Sequence, residues 1–291
     1  MADTLAAPAP AKVNLTLEVL GPRPDGYHEL RSVIQTLALS DTVTLRFGAA
    51  TSAVEVSGPY AAGTPTSEDN LAWHAAMALA RRARRPLEGL SIAIDKQIPP
   101  AAGLGGGASD AATTLRLLQR YWTGVSDDHV LAAANDVGSD EAALALGGTI
   151  LVRGRGDLVS PLPPLPEHGV VLFLSAAGGE RKTARMFARL AGTPPGDGAV
   201  TDALARRLPC CISSADVSNR FDAVARDAFP DLAVLWEDLE RRIGEPLHLA
   251  GAGPALFWIG EPGRAPAVAA RAEGSPATVV VTSTATSLWL R

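Results

Sequence analysis

Apolar and polar residues alternate from Lys12 onward: Val13, Leu15, Leu17 and Val19 share one face, while Lys12 and Asn14 lie side by side on the other. A period of two predicts a half-buried strand over residues 8–20. The stretch GPRPDG (residues 21–26) is a turn, and a second strand pattern runs from Tyr27 to about Leu39, followed by short strands over 41–47 and 54–56. Residues 71–85, LAWHAAMALARRARR, predict a helix with capping residues before it (Ser67 to Asn70) and arginines at its end, with His74 as a packing residue. LSIAID (residues 90–95) reads as a strand. Further on, Ala111, Ala112, Leu115, Leu118 and Trp122 recur at helical spacing and predict a buried stripe. A helix over 127–135 and a hairpin of 148–153 with 157–160 follow.

The segment PLPPLPEHG (residues 161–169) is proline-rich and stiff, which suits a boundary between a domain of residues 1–160 and one of residues 161–291. VVLFLS opens the second domain as a buried strand. Helical patterns over 201–208 and 216–242, then a last helix and strand, give an α+β class.

Candidate chemistry centres on IPPAAGLGGGASDAA (residues 98–112), where Gly103, Gly105, Gly106 and Gly107 fall within five residues of a helical pattern that starts at Ala108 or Ser109. Glycines tolerate positive φ and close backbone approach, so successive N–H groups can face one concavity and a helix N-terminus can add its dipole there. That is a cradle for a polyanion, most simply the phosphates of a nucleotide. Taken alone, the glycines also suit a plain tight turn. Gly103-x-Gly105-x-x-Ala108 formally meets the dinucleotide pattern, but KQIPPAA separates it from the preceding strand, so the required strand–turn–helix context is missing. No Gly-Lys-Ser/Thr follows the glycines, which excludes a Walker A loop.

The ordered pattern P-x-x-x-G-L-G-G-G-x-S, from Pro99 to Ser109, resembles the phosphate loop of the GHMP kinase superfamily. Two further stretches are similar to the other motifs of that superfamily: PAKVNL (residues 10–15) and LAGAGPALF (residues 249–257). The resemblance implies a two-domain α+β fold, with an N-terminal domain like ribosomal protein S5 domain 2, a ferredoxin-like C-terminal domain and the active site in the cleft between them. It implies ATP and Mg²⁺ as cofactors. Pro99, Gly103, Leu104, Gly105, Gly106, Gly107, Ala108 and Ser109 would hold the nucleotide phosphates, Ser109 also meeting the metal. Lys96 resembles another nucleotide-side position, and Asn70 and Leu71 resemble residues bordering the adenine; Asn70 suits a helix cap equally well. Lys12 and Asp140 would be catalytic, and Asn14 would reach the transfer site.

DGYHEL (residues 25–30) narrows the resemblance to the branch of the superfamily that acts on 4-diphosphocytidyl-2-C-methyl-D-erythritol, in non-mevalonate isoprenoid biosynthesis. Tyr27 and His28 would then stack on and hydrogen-bond the cytosine. Thr183 and Phe187, four apart on one helical face, resemble a further pair in which the ring covers the base; Phe187 suits the core equally. Gly251 and Gly253 would close on the substrate, and Asn219 lies in a segment similar to the branch's N-x-F/L-x-x-V. The chain departs from the usual motifs in three places. Ala108 replaces a serine, Glu141-Ala142-Ala143 replaces Val-Pro-Phe after Asp140, and Ala250, Ala252 and Pro254 replace commonly polar residues. These departures keep two alternatives open: another superfamily kinase acting on homoserine, mevalonate or a sugar, or a catalytically weak paralogue that binds nucleotide or metabolite.

Composition narrows this picture only a little. The 291 residues are 47% apolar and 20% charged with a net charge of −5, an ordinary globular balance that speaks against nucleic acid as partner. The only cysteines, Cys210 and Cys211, are adjacent, a poor geometry for a structural disulfide, and are expected as buried thiols in a reducing compartment. The chain starts without a basic region and apolar block, and no apolar run reaches about 18 residues. A cytoplasmic enzyme, monomeric or weakly dimeric, with a small-molecule substrate is expected.

Overall fold

The computed structural model describes residues 3–49, 52–175, 182–190, 192–287 and 289. Two long strands, β1 (Thr4–Pro22) and β2 (His28–Arg46), form an antiparallel ribbon. The expected break near residue 40 is absent. There the wholly buried Asp41 accepts the backbone N–H groups of Gln97 and Ile98, at 2.5 and 2.8 Å, while β1 continues the ladder beside it. The ladder slips between Pro10 and Lys12, and the Lys12 N–H donates instead to the Leu104 carbonyl (2.9 Å). This irregularity couples the first motif to the glycine loop.

β3 (Ala53–Ser57) leads to α1 (Leu71–Ala83), β4 (Ser91–Asp95), α2 (Gly106–Tyr121), α3 (Asp127–Val137), α4 (Glu141–Leu146), β5 (Thr149–Gly154) and β6 (Leu158–Pro161). β4 pairs with the second half of β2 and β5 with the first half; β3 lies parallel to β4, and β6 turns back on β5. The helices cover one sheet face through Val43, Leu45, Ile92 and Ile94 against Ala75, Leu79, Leu115 and Leu118. The predicted stripe on α2 is buried throughout, Trp122 included. His74, expected to pack, is exposed on α1; the face it occupies looks away from the sheet.

The second half runs β7 (Gly169–Leu174), α5 (Lys182–Leu190), α6 (Ala199–Arg207), β8 (Ser218–Asn219), α7 (Phe221–Ala228), α8 (Pro230–Ile243), β9 (His248–Leu249), β10 (Leu256–Gly260), α9 (Ala265–Arg271) and β11 (Thr278–Ser283). Its antiparallel sheet has the order β11-β7-β10-β9. The helical pattern expected over 216–242 is interrupted twice. Ser218 and Asn219 pair with Thr16 and Leu17 of β1, and Pro230, which has no N–H to donate, starts a new helix. β1 is buried on both faces, not one: Val13 and Leu15 join Val170, Leu172, Phe257 and Ile259 in a core between the sheets, while Lys12 and Asn14 are only 4% exposed on the other side. Cys210 is half-buried and Cys211 exposed, correcting the expectation of two buried thiols; they lie in a loop that presents one side to solvent. Among the described residues no helix is long and apolar enough to cross a membrane.

Candidate active site

α2 begins at Gly106, two residues earlier than its apolar pattern suggests, so the glycines themselves form its first turn. The N-cap, Gly105, has φ 72° and offers no side chain to the first-turn N–H groups, which leaves them to an outside acceptor. Gly103, Gly105 and Ala108 line a cleft of about 1200 Å³. A Cβ on Gly103 would sit 1.8 Å from the Ala250 carbonyl oxygen, because the 249–255 loop lies directly on the phosphate loop. The Ala255 N–H donates to the Ala102 carbonyl (3.1 Å), and the Asn219 amide donates to the carbonyls of Gly251 (2.8 Å) and Leu249 (3.0 Å). Gly251 and Gly253 thereby face the cleft, and a Cβ on Gly251 would lie 3.1 Å from Lys12 Nζ.

Lys12 Nζ donates to Asn14 Oδ1 (2.9 Å) and stands 3.2 Å from Asp140 Oδ2. Asn14 Nδ2 donates in turn to Ser32 Oγ (2.9 Å), which orients the amide. Asp140 occupies the N-cap position of α4, yet its side chain makes no capping bond. Glu141 folds back, accepting the Asp140 N–H at Oε2 (3.1 Å), and a Cβ on Gly138 would meet that carboxylate at 2.5 Å. Burial, reinforced by the neighbouring Asp140 charge, pushes the Glu141 carboxyl up to about 7.

At the far end of the cleft the rings of His28 and Phe187 stack at 4.5 Å and 19°, and Phe221 meets Phe187 edge-on at 5.1 Å. Tyr27 is 49% exposed, with the Arg155 guanidinium 5.0 Å from its ring centre. Thr183 lies on α5, but its side chain falls outside the described residues.

Several expected nucleotide residues do not line the cleft. Lys96 is buried beneath the loop, its ammonium bonded to Asp41 and to Asp110 Oδ2 (2.6 Å). A buried ammonium needs such counter-charges, and they occupy it. Burial, with the nearby Asp41, raises the Asp110 carboxyl to about 7 against the pull of Lys96. Asn70 spends both ends of its amide locally, accepting from Ala72 N (2.9 Å) and donating to Pro65 O (2.7 Å). Leu71 does line the cleft, and a Cβ on Gly107 would touch it at 3.3 Å. Leu104 is buried, and Pro99 is half-buried before the turn. Among the described residues Ser109 Oγ and Asp110 Oδ1 are each buried without a hydrogen-bond partner, and the Ser109 hydroxyl, in the first turn of α2, is an oxygen of the kind a hard cation or a phosphate takes. Arg155 and Phe221 were not singled out in the sequence; a lone arginine between glycines and one apolar position among many carry no periodic signal.

A cleft of this construction, with the glycine-capped start of a helix facing a lysine–carboxylate pair, is that of a small-molecule kinase. Residues 70–148 match the family model of the GHMP kinases N terminal domain. Curated relatives named 4-diphosphocytidyl-2-C-methyl-D-erythritol kinase include those of Geobacillus kaustophilus (34% identical, covering 88% of each chain) and Gloeobacter violaceus (35% identical, covering 94% of this chain and 91% of the relative). The crystal structure of a 4-(cytidine 5'-diphospho)-2C-methyl-D-erythritol kinase superposes with a TM-score of 0.74 at 29% identity, covering 96% of this chain and 99% of the other. A homoserine kinase from Cytophaga hutchinsonii, at 15% identity and TM-score 0.66 over 99% of this chain and 96% of its own, shares the fold. The chain belongs to the 4-diphosphocytidyl-2-C-methyl-D-erythritol kinase family.

Proposed function

We propose that this chain transfers the γ-phosphoryl group of ATP to the 2-hydroxyl of 4-diphosphocytidyl-2-C-methyl-D-erythritol, in non-mevalonate isoprenoid precursor synthesis. The observation that carries the reading is the Lys12–Asp140 pair at 3.2 Å, set between the phosphate loop and the ring cluster of His28 and Phe187. The ring cluster suits a pyrimidine, Tyr27 and His28 contributing at its edge. The alcohol end of such a substrate then reaches Asp140.

The hydroxyl oxygen bonds to the γ-phosphorus as the bond from phosphorus to the β,γ-bridging oxygen breaks, and ADP leaves. Asp140 orients the hydroxyl and takes its proton. Lys12, 3.2 Å from that carboxylate, stabilises charge on the phosphoryl oxygens in transfer. Backbone N–H groups at the start of α2 hold the phosphates of ATP, with Gly103, Gly251 and Gly253 keeping the two loops in register. Ser109 Oγ would hold Mg²⁺, which when bound would supply positive charge along the phosphates. Lys96 supports the loop from beneath.

The architecture reads as an N-terminal domain of residues 1–160, like ribosomal protein S5 domain 2, and a ferredoxin-like domain of residues 161–291, with the active site in the cleft between them. The β11-β7-β10-β9 order supports the ferredoxin-like assignment, since β7, β9, β10 and β11 are its successive strands. The enzyme is placed in the cytoplasm as a monomer or weak homodimer without nucleic-acid partners. ADP release with Mg²⁺, ATP and the proposed substrate, beside homoserine, mevalonate and a sugar, tests the reading. Turnover confined to the cytidine substrate and lost in Asp140→Asn supports it; turnover of another alcohol, or binding without turnover, overturns it.

A further inference from the structure

We infer that Arg155 is a substrate-binding residue that grips the diphosphate of a cytidine-diphosphate ligand and makes the cleft select a nucleoside diphosphate over the bare nucleoside. The inference rests on the substrate reading above. Arg155 sits at the tip of the β5–β6 hairpin between two glycines of positive φ, Gly154 at 70° and Gly156 at 117°. A Cβ on Gly156 would lie 2.4 Å from the Ser139 carbonyl oxygen, so the tip is pressed onto the segment that carries Asp140. On its other side the guanidinium lies over Tyr27 at 5.0 Å. It therefore spans the step from the base-binding end of the cleft to the reacting end. In a cytidine-diphosphate alcohol the diphosphate occupies that same step, between base and alcohol.

The charges of the cleft agree with this placement. Among its described lining residues the acids are Asp140 and Glu141, and the cations are Lys12 and Arg155. Lys12 is engaged by Asp140 and Asn14. Among the described residues Arg155 has no carboxylate partner for its guanidinium: one nitrogen donates to the Asn135 carbonyl (3.1 Å), and only the backbone N–H meets Asp157 (3.0 Å). A guanidinium carries five N–H donors in a planar fork that matches phosphate oxygens, so donors remain after the Asn135 bond. A half-buried cation held at a fixed height above an aromatic ring is an arm prepared for an anion. Without it, the one remaining lining cation among the described residues, Lys12, is already paired with Asp140.

The test is calorimetric binding of cytidine, CMP and CDP to the full chain, with Mg²⁺ and a non-hydrolysable ATP analogue filling the nucleotide site. Arg155→Met is expected to weaken CDP by roughly ten- to a hundredfold, CMP less and cytidine hardly at all. Arg155→Lys, which keeps a point charge and loses the fork, should fall between, and in turnover assays the loss should appear in KM more than in kcat. Equal weakening of cytidine and CDP would mean that Arg155 acts through the Tyr27 ring, and unchanged CDP binding would mean that it acts on nothing; either overturns the inference. If wild-type protein fails to bind CDP under these conditions, the substrate reading itself fails, and that is seen before any variant is compared. Melting temperatures of both variants identify a folding defect, in which case the lysine variant decides.

Discussion

Lys12 Nζ and Asp140 Oδ2 lie 3.2 Å apart, with the lysine side chain 5% exposed and the aspartate 40% exposed. The ammonium is shielded and the carboxylate is offered to the cleft, an asymmetry suited to a group that must meet a substrate hydroxyl. Asp140→Asn should lower kcat by about 10²–10⁴-fold with little change in substrate KM. Lys12→Met should lower kcat as well, and the double variant should lose less than the product of the single losses, because the two act as a unit. Steady-state ADP release on the four proteins checks this; additive losses would separate the two roles.

The His28 and Phe187 rings stack at 4.5 Å, which leaves no room for a base between them. A base must use an outer face of this pair or part it. Phe187→Ala removes a ring pairing of about 0.5–1.5 kcal/mol, so substrate KM should rise several-fold or more while ATP KM holds. A change in ATP KM alone would place Phe187 in the core and not in the substrate site.

Gly103 has φ 89°, and a Cβ there would sit 1.8 Å from the Ala250 carbonyl oxygen. Gly103→Ala should separate the two glycine loops, cost more than about 2 kcal/mol in urea unfolding and raise ATP KM. Gly26, with φ 84° but nothing within 4 Å of a Cβ, is the control: its alanine variant should show only backbone strain.

Burial holds the Glu141 carboxyl at about 7, above its ordinary range. The folded chain then binds more protons than the unfolded chain between about pH 4.5 and 7, so this residue's contribution to stability is present at low pH and lost as pH rises through that window. Glu141→Gln keeps the shape without the charge. It should stabilise the protein by up to about 3 kcal/mol at pH 8 and by little at pH 5. Denaturant unfolding at the two pH values reads this directly, and a larger gain at pH 5 would contradict it.

Local patterns carried much of the architecture. The alternation Val13-Leu15-Leu17-Val19 located β1, expected over 8–20 and found over 4–22, and the stripe from Ala111 to Trp122 located α2, whose start lies two or three residues earlier than its apolar pattern suggests. The misses share one cause. Residues 216–242 keep helical spacing throughout, but Ser218 and Asn219 are drawn into β1's sheet by a partner two hundred residues earlier in the chain. Lys96 lies next to the loop in sequence, yet its ammonium points to Asp41 and Asp110, which only the fold assembles around it.

By itself, the sequence determined what short-range chemistry controls: the periods of the strands and helices, the glycines that permit a cradle, and the identities of the side chains in each motif. Only the tertiary structure decided which of those side chains meet. Lys12 meets Asp140 where the start of α4 lies beside β1, and Arg155 lies over Tyr27 where the β5–β6 turn packs on Ser139. Contacts of this kind depend on how sheets and loops settle against each other to bury apolar surface, a property of the whole chain that no local spacing encodes.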